Sequence, residues 1–151
     1  MFSPPLRSER WHFLFCSGMA NMAGQIQFTP SVNVIATDGV SGMTTYQLNA
    51  HLASNQQNVY ATYGDAKSDM VIPAAFQTAM PMGANVGGVN PAFYTFAPDC
   101  QYDSWLTVGP TDGTGSQVSA IGIDFKSWTA KEALTIDDGA VFWMDPASGP
   151  C

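Results

Sequence analysis

The stretch Met43-Thr44-Thr45-Tyr46-Gln47-Leu48-Asn49-Ala50-His51-Leu52 decides the fold class, because apolar and polar side chains alternate along it. The apolar set is Tyr46, Leu48, Ala50 and Leu52, and the polar set is Thr45, Gln47, Asn49 and His51. A period of two puts the two sets on opposite faces of a β-strand, whereas a helix would scatter both around its axis. The stretch therefore predicts a strand, with its apolar face turned toward a core.

Similar but shorter patterns occur on both sides of this strand, separated by turns rich in Gly, Pro, Asn and Asp. They predict further strands at residues 26–28, 32–36, 58–63, 102–108, 117–125 and 140–144. Pro30 cannot donate to a ladder, so it predicts an edge or a bend between the first two. Six to eight short strands indicate an all-β fold, an antiparallel β-sandwich or jelly-roll-like domain over residues 25–151.

The pattern lapses between Gly64 and Cys100, where four prolines punctuate the chain. We expect a long Pro/Gly-rich loop there, with at most a short helix over residues 74–79. The segment holds several Met and aromatic side chains and is too apolar to stand free in water. It is therefore predicted to fold across one sheet and cover its core.

The charge of the chain excludes several classes of partner. Only 11% of the residues are charged, the net charge is −7, and no arginine follows Arg10. Phosphate-binding surfaces need clustered Lys and Arg, so nucleic acid and anionic membranes are not expected partners.

No apolar run approaches the ~20 residues of a membrane span. Residues 1–24 combine basic residues, a brief apolar run and small residues, and we interpret them as either a signal peptide or a non-native leader.

Catalytic motifs are absent from the sequence. No nucleophile elbow, dinucleotide-binding loop or phosphate-binding Gly-Lys-Ser/Thr occurs. His51 is the only histidine after the leader, and its place on the polar side of a strand predicts an ordinary exposed sheet residue. Aspartates are abundant, so a hydrolase that uses paired aspartates stays open as an alternative.

Three aspartates near turns are candidate ligands for Ca²⁺, which prefers carboxylate and carbonyl oxygens. They are Asp99, Asp103 and Asp112. The competing interpretation is that these side chains cap turns by bonding to nearby backbone amides. Apart from Ca²⁺, no cofactor is predicted.

Aromatic rings raise the alternative of a carbohydrate-binding surface, since a ring offers sugars an apolar face and Tyr or Trp adds a polar handle. Trp128, just after a predicted strand, is the best candidate for an exposed ring, and Tyr94 is the second candidate. A disulfide between Cys100 and Cys151 is one interpretation of the cysteines, and unpaired thiols are the other.

Three segments are the most distinctive parts of the chain: Val89-Asn90-Pro91-Ala92-Phe93, Tyr102-Asp103-Ser104-Trp105-Leu106-Thr107-Val108-Gly109 and the closing Ala140-Val141-Phe142-Trp143. Together they resemble a β-rich domain of secreted or surface-anchored proteins from aquatic bacteria and algae. The resemblance implies secretion and a β-sandwich, and it assigns no activity and no residue role. The sequence thus predicts a non-catalytic secreted or cell-surface module for structure or adhesion, with glycans or other surface proteins as partners.

Overall fold

The computed structural model describes residues 28–54, 58–145 and 147–148. The predicted leader over residues 1–24 and the second cysteine of the predicted disulfide, Cys151, lie outside these ranges. The described residues are mostly strand, turn and 3-10 helix, and they contain no α-helix. An all-β fold with antiparallel sheets is therefore confirmed.

In the part of the chain that the structure describes, seven strands form three small sheets, and the strands within each sheet pair antiparallel. The strands are β1 (Phe28–Thr37), β2 (Thr44–Leu52), β3 (Ala61–Gly64), β4 (Met70–Ile72), β5 (Val118–Ile121), β6 (Leu134–Ile136) and β7 (Gly139–Trp143). In the three-stranded sheet β7 lies between β3 and β5, while β4 pairs with β6 and β1 pairs with β2. The described residues also form 3-10 helices over Pro91–Phe93, Pro98–Tyr102 and Phe125–Ser127.

The prediction of strands at 26–28 and 32–36 needs correction, because Phe28–Thr37 is one continuous strand that passes through Pro30. Pro30 pairs with Ala50 of β2 without breaking the ladder. A proline fits a paired strand where its missing N–H falls on the side away from the partner. The ladder shifts register only later, between Val34 and Ala36.

Residues 74–79, where at most a short helix was expected, form no helix. Backbone amides in this segment bond to distant residues instead of to their own preceding turn. The Ala75 N–H donates to the Thr129 carbonyl at 3.0 Å, and the Thr78 N–H donates to the Asp103 carboxylate at 2.7 Å. Those long-range bonds hold the segment against its neighbours.

The predicted strand over residues 102–108 is also wrong. Tyr102 ends a 3-10 helix, and Leu106 makes only an isolated parallel bridge to Val86. The two missed strands, β4 and β6, have three residues each, which is too short for a period of two to be recognised. They nevertheless line the main core.

The core lies around Trp128, Leu134 and Ile136, which are all nearly inaccessible to solvent. Partly buried hydrophobic side chains pack around these three: Met70, Ile72, Ala75, Leu106, Ile123 and Phe125. The members of this cluster are spread along the chain from Met70 to Ile136. The core therefore belongs to the part of the molecule that follows β2, and β1 and β2 contribute no member to it.

Candidate functional site

The ribbon, which we define as strands β1 and β2, has two chemically different faces. Residues directly opposite each other in an antiparallel pair project to the same side of the sheet. On one side the opposed pairs are Phe28–Leu52, Pro30–Ala50, Val32–Leu48 and Val34–Tyr46, and on the other they are Thr29–His51, Ser31–Asn49 and Asn33–Gln47. The first set is the apolar face and the second is the polar face.

The apolar face is open to solvent at its centre. Four neighbouring side chains are more than half exposed: Val32 (58%), Val34 (60%), Tyr46 (62%) and Leu48 (51%). Among the described elements, β1 and β2 pack extensively only against each other. Single exposed hydrophobic residues are ordinary, but a contiguous apolar patch marks a site of interaction. These four residues are thus the core of a candidate contact surface.

The polar face of the ribbon carries a hydroxyl–imidazole pair. Ser31 Oγ and His51 Nε2 lie 2.7 Å apart, and His51 is exposed as predicted. A serine nucleophile needs a base that a third group orients and donors that stabilise the oxyanion. Asn33, Asn49 and Gln47 share this side of the ribbon, and none is a carboxylate. The pair therefore joins the two strands, and no described side chain on this side of the ribbon completes a catalytic arrangement with it.

The turn between β1 and β2 is fixed locally and rests on the rest of the molecule. Asp38, with a φ of 61°, accepts the Gly42 N–H at 2.6 Å, and its own N–H donates to the Met43 carbonyl at 2.8 Å. At Gly39 a Cβ would lie 2.5 Å from the ring of Tyr102. Glycine is needed there because the ring occupies the space that a side chain would take. The turn of the ribbon therefore contacts the end of the 3-10 helix Pro98–Tyr102.

The prediction that Trp128 has an exposed ring is wrong, because the ring is buried. Only 4% of the residue is accessible, and its indole N–H donates to the Pro73 carbonyl at 2.7 Å. Buried tryptophans usually find such an acceptor. The side chain joins Leu134 and Ile136 in the core, so it offers no ring for a sugar to stack on.

Tyr94, the other predicted ligand-binding residue, is half-buried just after the 3-10 helix Pro91–Phe93. Burial raises the pKa of its phenol, and the nearby Cys100 and Asp112 raise it further. The hydroxyl therefore stays protonated through the physiological range. Trp128 lies in a different environment, so the two rings do not share one exposed platform.

Asp103 is buried, with 4% of the residue exposed, and its carboxylate holds together two chain segments. One oxygen accepts the Thr78 N–H and the other accepts the Ala84 N–H, each at 2.7 Å. Burial raises the pKa of this carboxyl, and the hydrogen bonds from Thr78 and Ala84 oppose that rise. Both oxygens are engaged by backbone amides, but these amides lie 25 and 19 residues away along the chain, so Asp103 joins distant segments and does not cap its own turn.

The other two candidate Ca²⁺ ligands occupy ordinary local positions. Asp112 accepts the Thr114 N–H at 2.7 Å within its own turn, and Asp99 lies exposed in the first turn of the 3-10 helix Pro98–Tyr102. Within the described ranges, no three His, Cys, Asp or Glu side chains are grouped as a metal site would require. Calcium binding thus stays a prediction from residue type.

Cys100 is a fully buried free thiol among the described residues. Burial raises the pKa of this thiol, and the neighbouring Asp103 carboxylate raises it further. A buried, protonated thiol is unreactive, because the thiolate is the nucleophilic form. Its predicted partner, Cys151, lies outside the described residues, so the disulfide also stays a prediction.

The contact surface was only half visible in the sequence. The alternation in β2 identifies Tyr46 and Leu48 as neighbours on one face, and the pairing with β1 adds Val32 and Val34. Alternation predicts that such a face is shielded from water, but it carries no information about what shields it. One further signal was present, since β1 and β2 contain no Asp, Glu, Lys or Arg at all.

Comparison with known proteins places the chain in no family. No protein-family model matches it, and neither the curated proteins nor the solved structures give a significant match. Among the described residues, no helix has the length and apolar character needed to cross a membrane.

Proposed function

We propose that the chain is a non-catalytic secreted or cell-surface module for structure or adhesion, and that the apolar face of the ribbon is its contact surface. One observation carries the proposal: Val32, Val34, Tyr46 and Leu48 form a contiguous, uncharged patch in which every member is more than half exposed. Soluble proteins seldom leave such patches uncovered unless they bind something.

The architecture of the ribbon supports the same role. A two-stranded ribbon is marginally stable alone in water and gains stability when its apolar side is covered. A β-sandwich consists of two stacked layers that share an apolar interior. In this proposal the ribbon supplies one layer and its binding partner supplies the other. The sandwich expected from the sequence is then completed by binding.

The arrangement of the ionisable groups favours binding over catalysis. Asp103, the carboxyl whose pKa is raised by burial, uses both oxygens to hold the Thr78 and Ala84 amides. A hydrolase needs a raised carboxyl that faces its substrate. The Asp103 carboxyl instead serves the packing of its own chain.

Adsorption to a methyl-terminated surface, followed with a quartz-crystal microbalance, tests the proposal. Leu48→Glu places a carboxylate on the apolar face and is expected to weaken adsorption by about tenfold, because an ion must lose water to reach an apolar contact. Gln47→Glu adds the same charge to the adjacent residue on the polar face and is expected to adsorb like the original chain. Equal adsorption by both variants would show that another surface makes the contact.

A further inference from the structure

We propose that a second copy of this chain covers the apolar face, with the two ribbons stacked face to face about a twofold axis. The inference rests on the proposed function, since it names the partner of the same contact surface. Stacked sheets lie about 10 Å apart, so Val32, Val34, Tyr46 and Leu48 of each copy would interdigitate. The result is a closed, four-stranded sandwich made by two chains.

Charge favours a partner that is itself uncharged at the contact. Within residues 28–52 the sole charged residue is Asp38, which lies in the turn outside both strands. A basic or acidic partner surface would find no opposite charge on the ribbon, and its own charges would lose water without compensation. The chain has no arginine or lysine here to anchor it to anionic lipid. The apolar face of another copy meets these requirements.

The shape of the ribbon favours contact through the face over addition along the outer edge of β1. Pro30 removes a donor from that strand, and the register shift between Val34 and Ala36 bends it. Both features are known to hinder edge-to-edge pairing. Two faces of equal length related by a twofold axis form a closed contact, so the assembly stops at two copies.

The area of the face suits a reversible dimer. The four central side chains of the face are each more than half exposed. If two copies stacked through this face, they would together remove on the order of 1,000 Å² of surface from water. That area lies at the low end for specific protein–protein interfaces. Interfaces at this low end are typical of weak, transient association. We therefore expect monomer and dimer to coexist at micromolar concentrations.

Sedimentation equilibrium of the full chain tests the inference. The original chain is expected to show a reversible monomer–dimer equilibrium, and Gln47→Glu is expected to match it. Leu48→Glu is expected to weaken dimerisation by about 100-fold, since a twofold contact contains the substitution twice at about tenfold each. Val34→Thr, which keeps the shape and the strand preference of valine, is expected to weaken it by about tenfold with an unchanged circular dichroism spectrum.

Salt provides an independent check on the identity of the partner surface. Each copy has a net charge of −7, so two copies repel and added salt should strengthen the dimer by screening that repulsion. Weakening by salt would overturn an apolar contact between like-charged copies. So would a chain that stays monomeric throughout, or a dimer that Leu48→Glu and Val34→Thr leave intact.

The two proposals fail in different ways. If the chain is monomeric while adsorption still depends on Leu48, the second copy is the wrong partner and the contact surface stands. If the chain is monomeric and Leu48→Glu also adsorbs normally, both proposals are wrong.

Discussion

At the scale of single residues, Asp103 shows how one side chain can fix a region without regular secondary structure. Its two oxygens hold the amides of Thr78 and Ala84, and Gln77 adds a bond to the Ser104 carbonyl at 3.2 Å. The sequence identified Asp103 as a turn cap or a metal ligand, and both interpretations require an acceptor. The sequence does not show that the partners of Asp103 lie far away along the chain, because residue type does not reveal long-range contacts.

Asp103→Ala should lower the free energy of unfolding by about 2–4 kcal/mol, because two backbone amides lose their acceptor within the folded protein. Chemical denaturation at neutral pH measures the change. Asp99→Ala removes an exposed carboxylate four residues earlier and should change stability by no more than about 0.5 kcal/mol. Equal stability of the two variants would mean that Asp103 does not hold this region.

The raised pKa of Asp103 also predicts how stability depends on pH. Its pKa in the folded protein lies above the unfolded value of about 3.9, so the folded state binds the proton more tightly. The stability gained from this proton is fully present below the unfolded pKa and is lost as pH rises through the folded pKa.

The stability difference between the original chain and Asp103→Ala isolates this contribution. That difference should be larger at about pH 5 than at about pH 7.5. A difference that instead grows toward neutral pH would mean that the folded protein lowers the pKa of this carboxyl.

At the scale of elements, the length of a strand decided how well the sequence predicted it. The nine residues of β2 give a clear period of two, and the strand predicted over residues 43–52 is confirmed. The expectation that its apolar face turns toward a core is wrong, because Tyr46 and Leu48 are more than half exposed and no residue of β2 belongs to the core.

The prediction over residues 140–144 nearly matches β7 (Gly139–Trp143). The strand predicted over residues 117–125 is only partly formed, because β5 covers Val118–Ile121 and Phe125 begins a 3-10 helix. The strand predicted over residues 102–108 failed because aromatic and β-branched composition alone does not supply a pairing partner.

The turns between strands also depend on glycines whose environment the sequence does not show. Gly122, with a φ of 73°, follows β5, and a Cβ there would overlap the Asp138 carbonyl oxygen just before β7. Gly115 has a similar φ of 65° but nothing within 4 Å of the added atom. Both glycines adopt a positive φ, but only Gly122 lies close to another part of the chain.

Gly122→Ala should therefore destabilise the fold more than Gly115→Ala does. The positive φ alone costs an alanine about 1–2 kcal/mol, and displacing the carbonyl at Gly122 should bring the total there to about 3 kcal/mol or more. Thermal unfolding of both variants by calorimetry measures the difference. Equal losses would indicate that the approach between Gly122 and Asp138 is looser than the structure shows.

At the scale of the whole molecule, the all-β class followed from alternation, turn residues and scarce helix formers, and it is confirmed. The placement of Trp128 did not follow, because a ring after a strand can turn toward solvent or toward the core with the same local sequence. The exposure of the apolar face of the ribbon could not be predicted from the sequence either. Alternation assigns Val34 and Tyr46 to faces, and only the three-dimensional arrangement shows which faces remain uncovered.

Hydroxyl-radical footprinting over a range of protein concentrations shows whether a second copy covers the apolar face of the ribbon. Tyr46 lies on the apolar face, and Tyr60, which is 44% exposed, lies outside the ribbon and serves as the internal reference. If the two ribbons stack, oxidation of Tyr46 relative to Tyr60 should fall as the protein concentration rises through the micromolar range. A ratio that stays constant from the lowest to the highest concentration would contradict this stacking.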